Sequence, residues 1–164
     1  MPSALGHHDT SEVGAGGLWV PTNQIVPHTG YHHWPVVWRH QWTKHIQDSL
    51  VNTDNPTGTI TISDLELAVR ILHLQAICQS YDVQERTLLS NTDNLATLFW
   101  KHKGSKTTDK CPHYLWRLFG IHQLYHRNIP RHDYQSAPSN TIVDDSSRLF
   151  QLSNNFFTMC VFQL

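Results

Sequence analysis

Four acidic side chains, Asp9, Glu66, Asp93 and Asp144, occupy positions from which they can act together. Asp9 ends a first strand-like run and Glu66 sits in the first turn of a periodic helix. Asp93 ends a short apolar run, and Asp144 opens a C-terminal segment after Asn140. Ligands of open α/β sheets gather at strand ends and helix starts, which is where these residues fall. Clustered carboxylates repel and raise one another's pKa, so a group of them calls for a positive partner. Hard oxygen donors suit Mg²⁺ or Mn²⁺. Two such ions about 4 Å apart activate water on one side of a phosphodiester and stabilise the leaving oxygen on the other. The chemistry expected is metal-assisted hydrolysis.

Each residue also has a plainer use. Ser63-Asp64-Leu65-Glu66 has the form of a capping box, which would occupy Glu66 in a helix cap worth about 1 kcal/mol. Asp93-Asn94 has the form of a helix N-cap. Lys101, Lys103, Lys106 and Lys110 make a basic loop, suited either to a phosphate backbone or to solvent. Trp38, Trp42, Trp100 and Trp116 fall at strand and helix spacings and read as core rather than as stacking platforms for bases.

The elements that must position these groups follow from periodicity. A strand through His8, a turn, and a strand over Gly14 to Val20 form a hairpin, with glycines supplying the positive φ that such turns demand. Val36 to Trp42 alternates as a third strand, after a loop broken by prolines and Gly30. Leu65, Ala68, Val69, Leu72 and Ala76 repeat at helical spacing and predict a helix over Ser63 to Ser80. Thr87 to Asn91 reads as a buried strand and Asn94 to His102 as a helix. A further helix begins near Tyr114 and ends near Asn128, and a last strand covers Ile129 to Tyr134. This order describes an α/β domain with a mixed sheet.

Composition bounds the rest. The 164 residues suit one domain with a single core, and six Trp, six Phe and five Tyr can supply it although only 15% of residues are charged. A formal net charge of −1 carries no bulk signature of a nucleic-acid binder, so any such role must come from local features. The three cysteines, Cys78, Cys111 and Cys160, lack CxxC spacing, which favours free thiols over a disulfide framework or a zinc site. The thirteen histidines are scattered and read as exposed or capping side chains, the pairs His7-His8 and His32-His33 included. No apolar run reaches the length of a spanning helix, and the N-terminus lacks the blocks of a signal peptide. The expectation is an intracellular protein, cytoplasmic or nuclear, with no membrane partner.

Four motifs in order resemble one family. Asp9-Thr10-Ser11 followed by Gly14-Ala15-Gly16-Gly17-Leu18-Trp19 is similar to the Asp-Ala-Ser…Gly-x-Gly-Gly-x-Trp start of ribonuclease H-like domains attached to retrotransposon reverse transcriptases. Ile62 to Ala68 resembles the segment that carries their glutamate. Thr92-Asp93-Asn94, with Thr97 and Trp100, resembles their Ser/Thr-Asp-Asn…Thr-x-x-Trp segment. Asn140-Thr141-Ile142-Val143-Asp144-Asp145-Ser146-Ser147-Arg148 resembles their closing Asn-x-x-Ala-Asp-x-x-Ser-Arg. Where the family commonly has a His and a Gly ahead of that last motif, this chain has Tyr134 and Ala137, with His132 as the nearest substitute.

The resemblance implies a ribonuclease H-like mixed five-stranded sheet flanked by helices over residues 1–150, with 151–164 as an extension toward a following polyprotein segment. It implies an endonuclease that cuts the RNA strand of an RNA–DNA hybrid during retroelement replication. Asp9, Glu66, Asp93 and Asp144 would hold two Mg²⁺ or Mn²⁺ ions. Asn94, Lys101, Lys103 and Lys106 would contact the nucleic acid, and a reverse transcriptase domain would lie upstream. The alternative within the same family is a decayed, non-catalytic domain that only binds nucleic acid or packs against the polymerase.

Overall fold

The alternation in the N-terminal part of the chain folds as an antiparallel meander: β1 (Ala4–Thr10), β2 (Gly14–Pro21) and β4 (Val36–Gln41), with β1 on β2 and β2 on β4. The other free edge of β1 takes β6 (Thr87–Thr92) in parallel, and β6 takes β7 (Ile129–Tyr134) in parallel. The result is a mixed five-stranded sheet in the order β4-β2-β1-β6-β7, flanked by helices, an α/β fold compatible with the ribonuclease H-like architecture. Pro130 cannot donate to a ladder, and β7 accommodates it because this strand lies at the sheet edge. A two-residue strand β3 (Val26–Pro27) pairs with β5 (Tyr81–Asp82) apart from the main sheet. The computed structural model describes residues 1–30, 33–92, 110–134, 141–150 and 153. The helix expected over Asn94 to His102 and the basic loop at Lys101, Lys103 and Lys106 lie outside these residues.

The helices are α1 (Lys44–Asp48), α2 (Ile62–Ser80), α3 (Lys110–His126) and α4 (Thr141–Arg148). The N-cap of α2 is Thr61, not Ser63. Its hydroxyl accepts from the Asp64 backbone N–H, while the Asp64 carboxylate accepts from the Thr61 N–H at 2.8 Å. The capping box is therefore Thr61 with Asp64, and Glu66 stands two residues beyond the box. The helix expected from Tyr114 begins earlier, at Lys110.

On one face of the sheet, Leu74, Ile77 and Cys78 of α2 pack with Ala4, Trp19, Leu88 and Phe119 of α3. Nearer the N-terminus of α2, Leu65 and Val69 pack with Ala15, Trp42 and Leu50. Trp42 is buried, and Trp38 and Trp116 pack against the core clusters, as expected of them; Trp100 lies outside the described residues. On the other face α4 covers β1, β2 and β4. No helix among the described residues is long and apolar enough to cross a membrane.

Two histidines expected at the surface lie in the interior. His8 and His73 are 0% and 1% exposed. The His73 ring stacks on Trp19 at 4.1 Å, its carbonyl accepts from Trp19 Nε1 at 2.7 Å, and its Nδ1 accepts from Trp38 Nε1 at 2.9 Å. Gly6 and Gly17 make room for this ring, since a Cβ at either would fall within 3 Å of it. Burial drives the His8 pKa down to about 3 and that of His73 well below 6.5, so both rings are neutral in the folded chain.

Each of these histidines takes up a proton on unfolding at any pH between its folded value and 6.5. Their stabilisation is complete above pH 6.5 and is lost as the pH falls toward about 3. Urea unfolding at stepped pH should show stability falling below pH 6.5, with a slope approaching about 1.4 kcal/mol per pH unit for each of the two. A flat profile from pH 7 to pH 5 would contradict their neutral burial.

Candidate active site

Asp9 is the penultimate residue of β1 and is 6% exposed. It pairs with Gly16 and so shares that residue's face, the face that α4 covers. Ser147 of α4 donates its hydroxyl to Asp9 Oδ2 at 2.8 Å, and the same Oγ lies 2.9 Å from the Asp144 carbonyl. The Asp144 side chain is partly buried in the first turn of α4, and its neighbour Asp145 is exposed.

The corner after β1 ties this helix down. Ser11 donates its hydroxyl to the Ser147 carbonyl at 2.7 Å and lies within 3.3 Å of the Gly14 carbonyl and the N–H groups of Val13 and Gly14. Trp42 Nε1 donates to the Ser11 carbonyl, and Arg39 reaches the Leu149 carbonyl at 2.9 Å while its guanidinium lies over the Phe150 ring.

The glycines expected to supply positive φ do something else. Among the described glycines only Gly30 has positive φ. Gly14 and Gly16 are strand residues, and their lack of a side chain is what admits the C-terminal helix. A Cβ on Gly16 would lie 1.9 Å from Ser146 Oγ, and one on Gly14 would lie 2.2 Å from the Phe150 ring.

Glu66 is 5% exposed. It follows Leu65, which packs on Ala15, and Ala15 is the partner of Thr10. The N-terminal end of α2 thus lies at the same end of the sheet as Asp9, though on the opposite face. One turn further, Arg70 is 1% exposed, with Nε and Nη2 lacking hydrogen-bond partners among the described residues. Burial lowers its pKa to about 10, and the Glu66 carboxylate opposes that shift.

β6 ends at Thr92 on this same end of the sheet, because it runs parallel to β1 with Gly6 opposite Ser90 and His7 opposite Asn91. Asp93 and Asn94 lie outside the described residues, as do Lys101, Lys103 and Lys106. His132 lies within β7 opposite Ser90, level with the middle of β1, and its ring faces Phe119 of α3. The end of β1 and the start of α2 therefore lie at one end of the sheet, where α4 meets Asp9 on one face and α2 carries Glu66 on the other. Reading the sequence for acids alone missed Ser147 and Arg70. The signals for them were the serine three residues after Asp144 and the arginine one helical turn after Glu66.

No family model matches the chain, and no curated protein matches it.

Two substitutions probe the docking of α4. Gly16→Ala forces a Cβ into Ser146 and should lower stability by about 1–3 kcal/mol, read as a lower urea midpoint. Ser147→Ala leaves a buried acceptor on Asp9 without that donor and should cost about 1–3 kcal/mol. A midpoint unchanged in both variants would show that α4 does not rest on β2 as described.

Proposed function

We propose that this chain is a ribonuclease H-type endonuclease that hydrolyses the RNA strand of an RNA–DNA hybrid. The reading rests on one observation. Two buried carboxylates, Asp9 and Glu66, lie at the same end of a mixed sheet, and the helix bearing Asp144 is tied to Asp9 through Ser147. Glu66 shares the interior with the Arg70 guanidinium one turn on, and Asp9 takes the Ser147 hydroxyl, so divalent ions would join carboxylates that are already held in place. The order of the four acidic motifs along the chain is the second support, and Asp93 enters from it alone.

The donor set fits magnesium or manganese, since every candidate ligand is a carboxylate oxygen and Glu66 is not consumed in the helix cap. Bound there, the ions would supply the charge that activates water and stabilises the leaving oxygen of a phosphodiester. The protein's own part is positional. Asp9 is fixed by the strand and by the Ser147 hydroxyl, and Glu66 is carried by a helix capped just ahead of it. To share a site, the two side chains must meet past the end of β1, because Asp9 is on the face that α4 covers and α2 packs on the other face.

On this reading Asn94, Lys101, Lys103 and Lys106 contact the hybrid. An upstream reverse transcriptase domain belongs to the same polyprotein, and residues 151–164 lead toward its next segment. A non-catalytic domain of the same fold has one observation in its favour. The nearest substitute for the family's loop histidine, His132, is a strand residue under α3.

The chain incubated with Mg²⁺ or Mn²⁺ and a labelled RNA–DNA hybrid should cut the RNA strand. Asp9→Asn and Glu66→Gln should each slow cleavage by about 100-fold or more, the size of losing several kcal/mol of transition-state stabilisation, with the circular dichroism spectrum retained. Cleavage that survives Asp9→Asn rules the proposal out. A folded chain that binds hybrid without cutting it supports the non-catalytic reading.

A further inference from the structure

Away from the acidic end, α2 and α3 bring a second set of chemically capable groups together. The sulfur of Cys78 and one ring nitrogen each of His122 and His126 all lie within 4.8 Å of one another. His122 and His126 are one turn apart on α3, with ring centres at 4.3 Å. Cys78 is 7% and His122 9% exposed, whereas His126 is half-buried at the rim of a cavity of about 260 Å³ that Cys78, His28, Tyr81, Asp82 and Tyr125 also line.

We propose that Cys78, His122 and His126 form a three-ligand site for zinc between α2 and α3, with the fourth coordination position open to this cavity.

The partners already present prepare each group for that role. Gln75 Oε1, an acceptor, lies 2.9 Å from His122 Nε2, so that nitrogen carries the proton and Nδ1 keeps its lone pair. His122 Nδ1 is buried with no hydrogen-bond partner among the described residues, the state expected of a ligand whose other nitrogen is held by a carbonyl. Asn128 Nδ2 donates to Cys78 Sγ at 3.4 Å, an outer hydrogen bond that stabilises a thiolate.

Bond lengths of about 2.0–2.3 Å place tetrahedral zinc ligands about 3.3–3.6 Å apart, so the set closes by roughly an ångström, a movement open to the half-buried His126 side chain. Thiolate with two imidazoles is a donor set suited to zinc and not to magnesium. Burial holds the His122 pKa down to about 4 and raises that of Cys78 to about 12. The His122 imidazole is thus a ligand as it stands, whereas the thiol must release its proton on binding.

The test uses the full chain, stripped with a chelator and titrated with Zn²⁺, then with Co²⁺ as a spectroscopic probe. One equivalent should bind tightly, raise the melting temperature and, for cobalt, give a thiolate-to-metal charge-transfer band. Cys78→Ser should abolish that band. His126→Gln should weaken zinc by more than the 10- to 100-fold that loss of an outer partner typically costs.

A missing band, or one that persists in Cys78→Ser, overturns the proposal, because the remaining histidines or cysteines would then be the binders. If Cys78→Ser does not fold, His126→Gln decides: unchanged zinc affinity in that variant overturns the site equally.

Discussion

The β1–β2 hairpin is pressed from both sides, and the fold depends on what it lacks. Gly6 and Gly17 leave a socket for the His73 ring of α2 on one face, and Gly14 and Gly16 leave a bed for Ser146 and Phe150 on the other. Because strand residues alternate in direction, one short hairpin serves two helices at once by placing glycines in each row where a helix comes closest. A methyl group at any of these four glycines would push a helix outward and carry Glu66 or Asp144 with it. The acidic end of the sheet is thus positioned from its centre, by absent atoms.

The socket also explains the polar interior. A buried imidazole is a poor choice for stability alone, since its ring nitrogens must be satisfied away from water. His73 meets this at one nitrogen, Nδ1, which accepts from Trp38, while Nε2 has no hydrogen-bond partner among the described residues; its backbone carbonyl accepts from Trp19, so two indoles grip one residue of α2. A helix held by directional bonds as well as by apolar contact has one rotation and one axial position. The start of α2, and with it Glu66, is placed by a contact two turns away.

Much of the fold was legible because its signals are local. A short apolar run with a turn and glycines after it marked β1 and β2, alternation marked β4, and the repeat of Leu65, Val69 and Leu72 marked α2. The cap of α2 was misread because two overlapping boxes, Thr61 with Asp64 and Ser63 with Glu66, both fit the pattern. Only the observed start of the helix separates them. Helix α4 gave no signal of its own, since Thr141, Ile142 and Val143 are β-branched; the helix is held by packing on glycines far away in sequence. The burial of His8, His73 and His122 was equally invisible, because it depends on tryptophans, glycines and a glutamine contributed by other elements. The acids at positions 9, 66 and 144 could be named from motifs, but the serine that links Asp9 to α4 is a fact of tertiary structure.

The parallel pairing of β1 with β6 fixes an order of events. The β1–β2 hairpin is closed by a tight turn and β4 follows across one loop, so the meander can form as soon as those residues exist, whereas β6 arrives only after α2 has been made. Pairings distant in sequence form slowly because the loop must be closed first. Until then β1, the centre of the finished sheet, is an open edge with unpaired backbone groups, able to template the wrong strand. The strand that carries Asp9 is therefore an open edge until β6 arrives, and α2, emerging before β6, is the element placed to shield one of its faces.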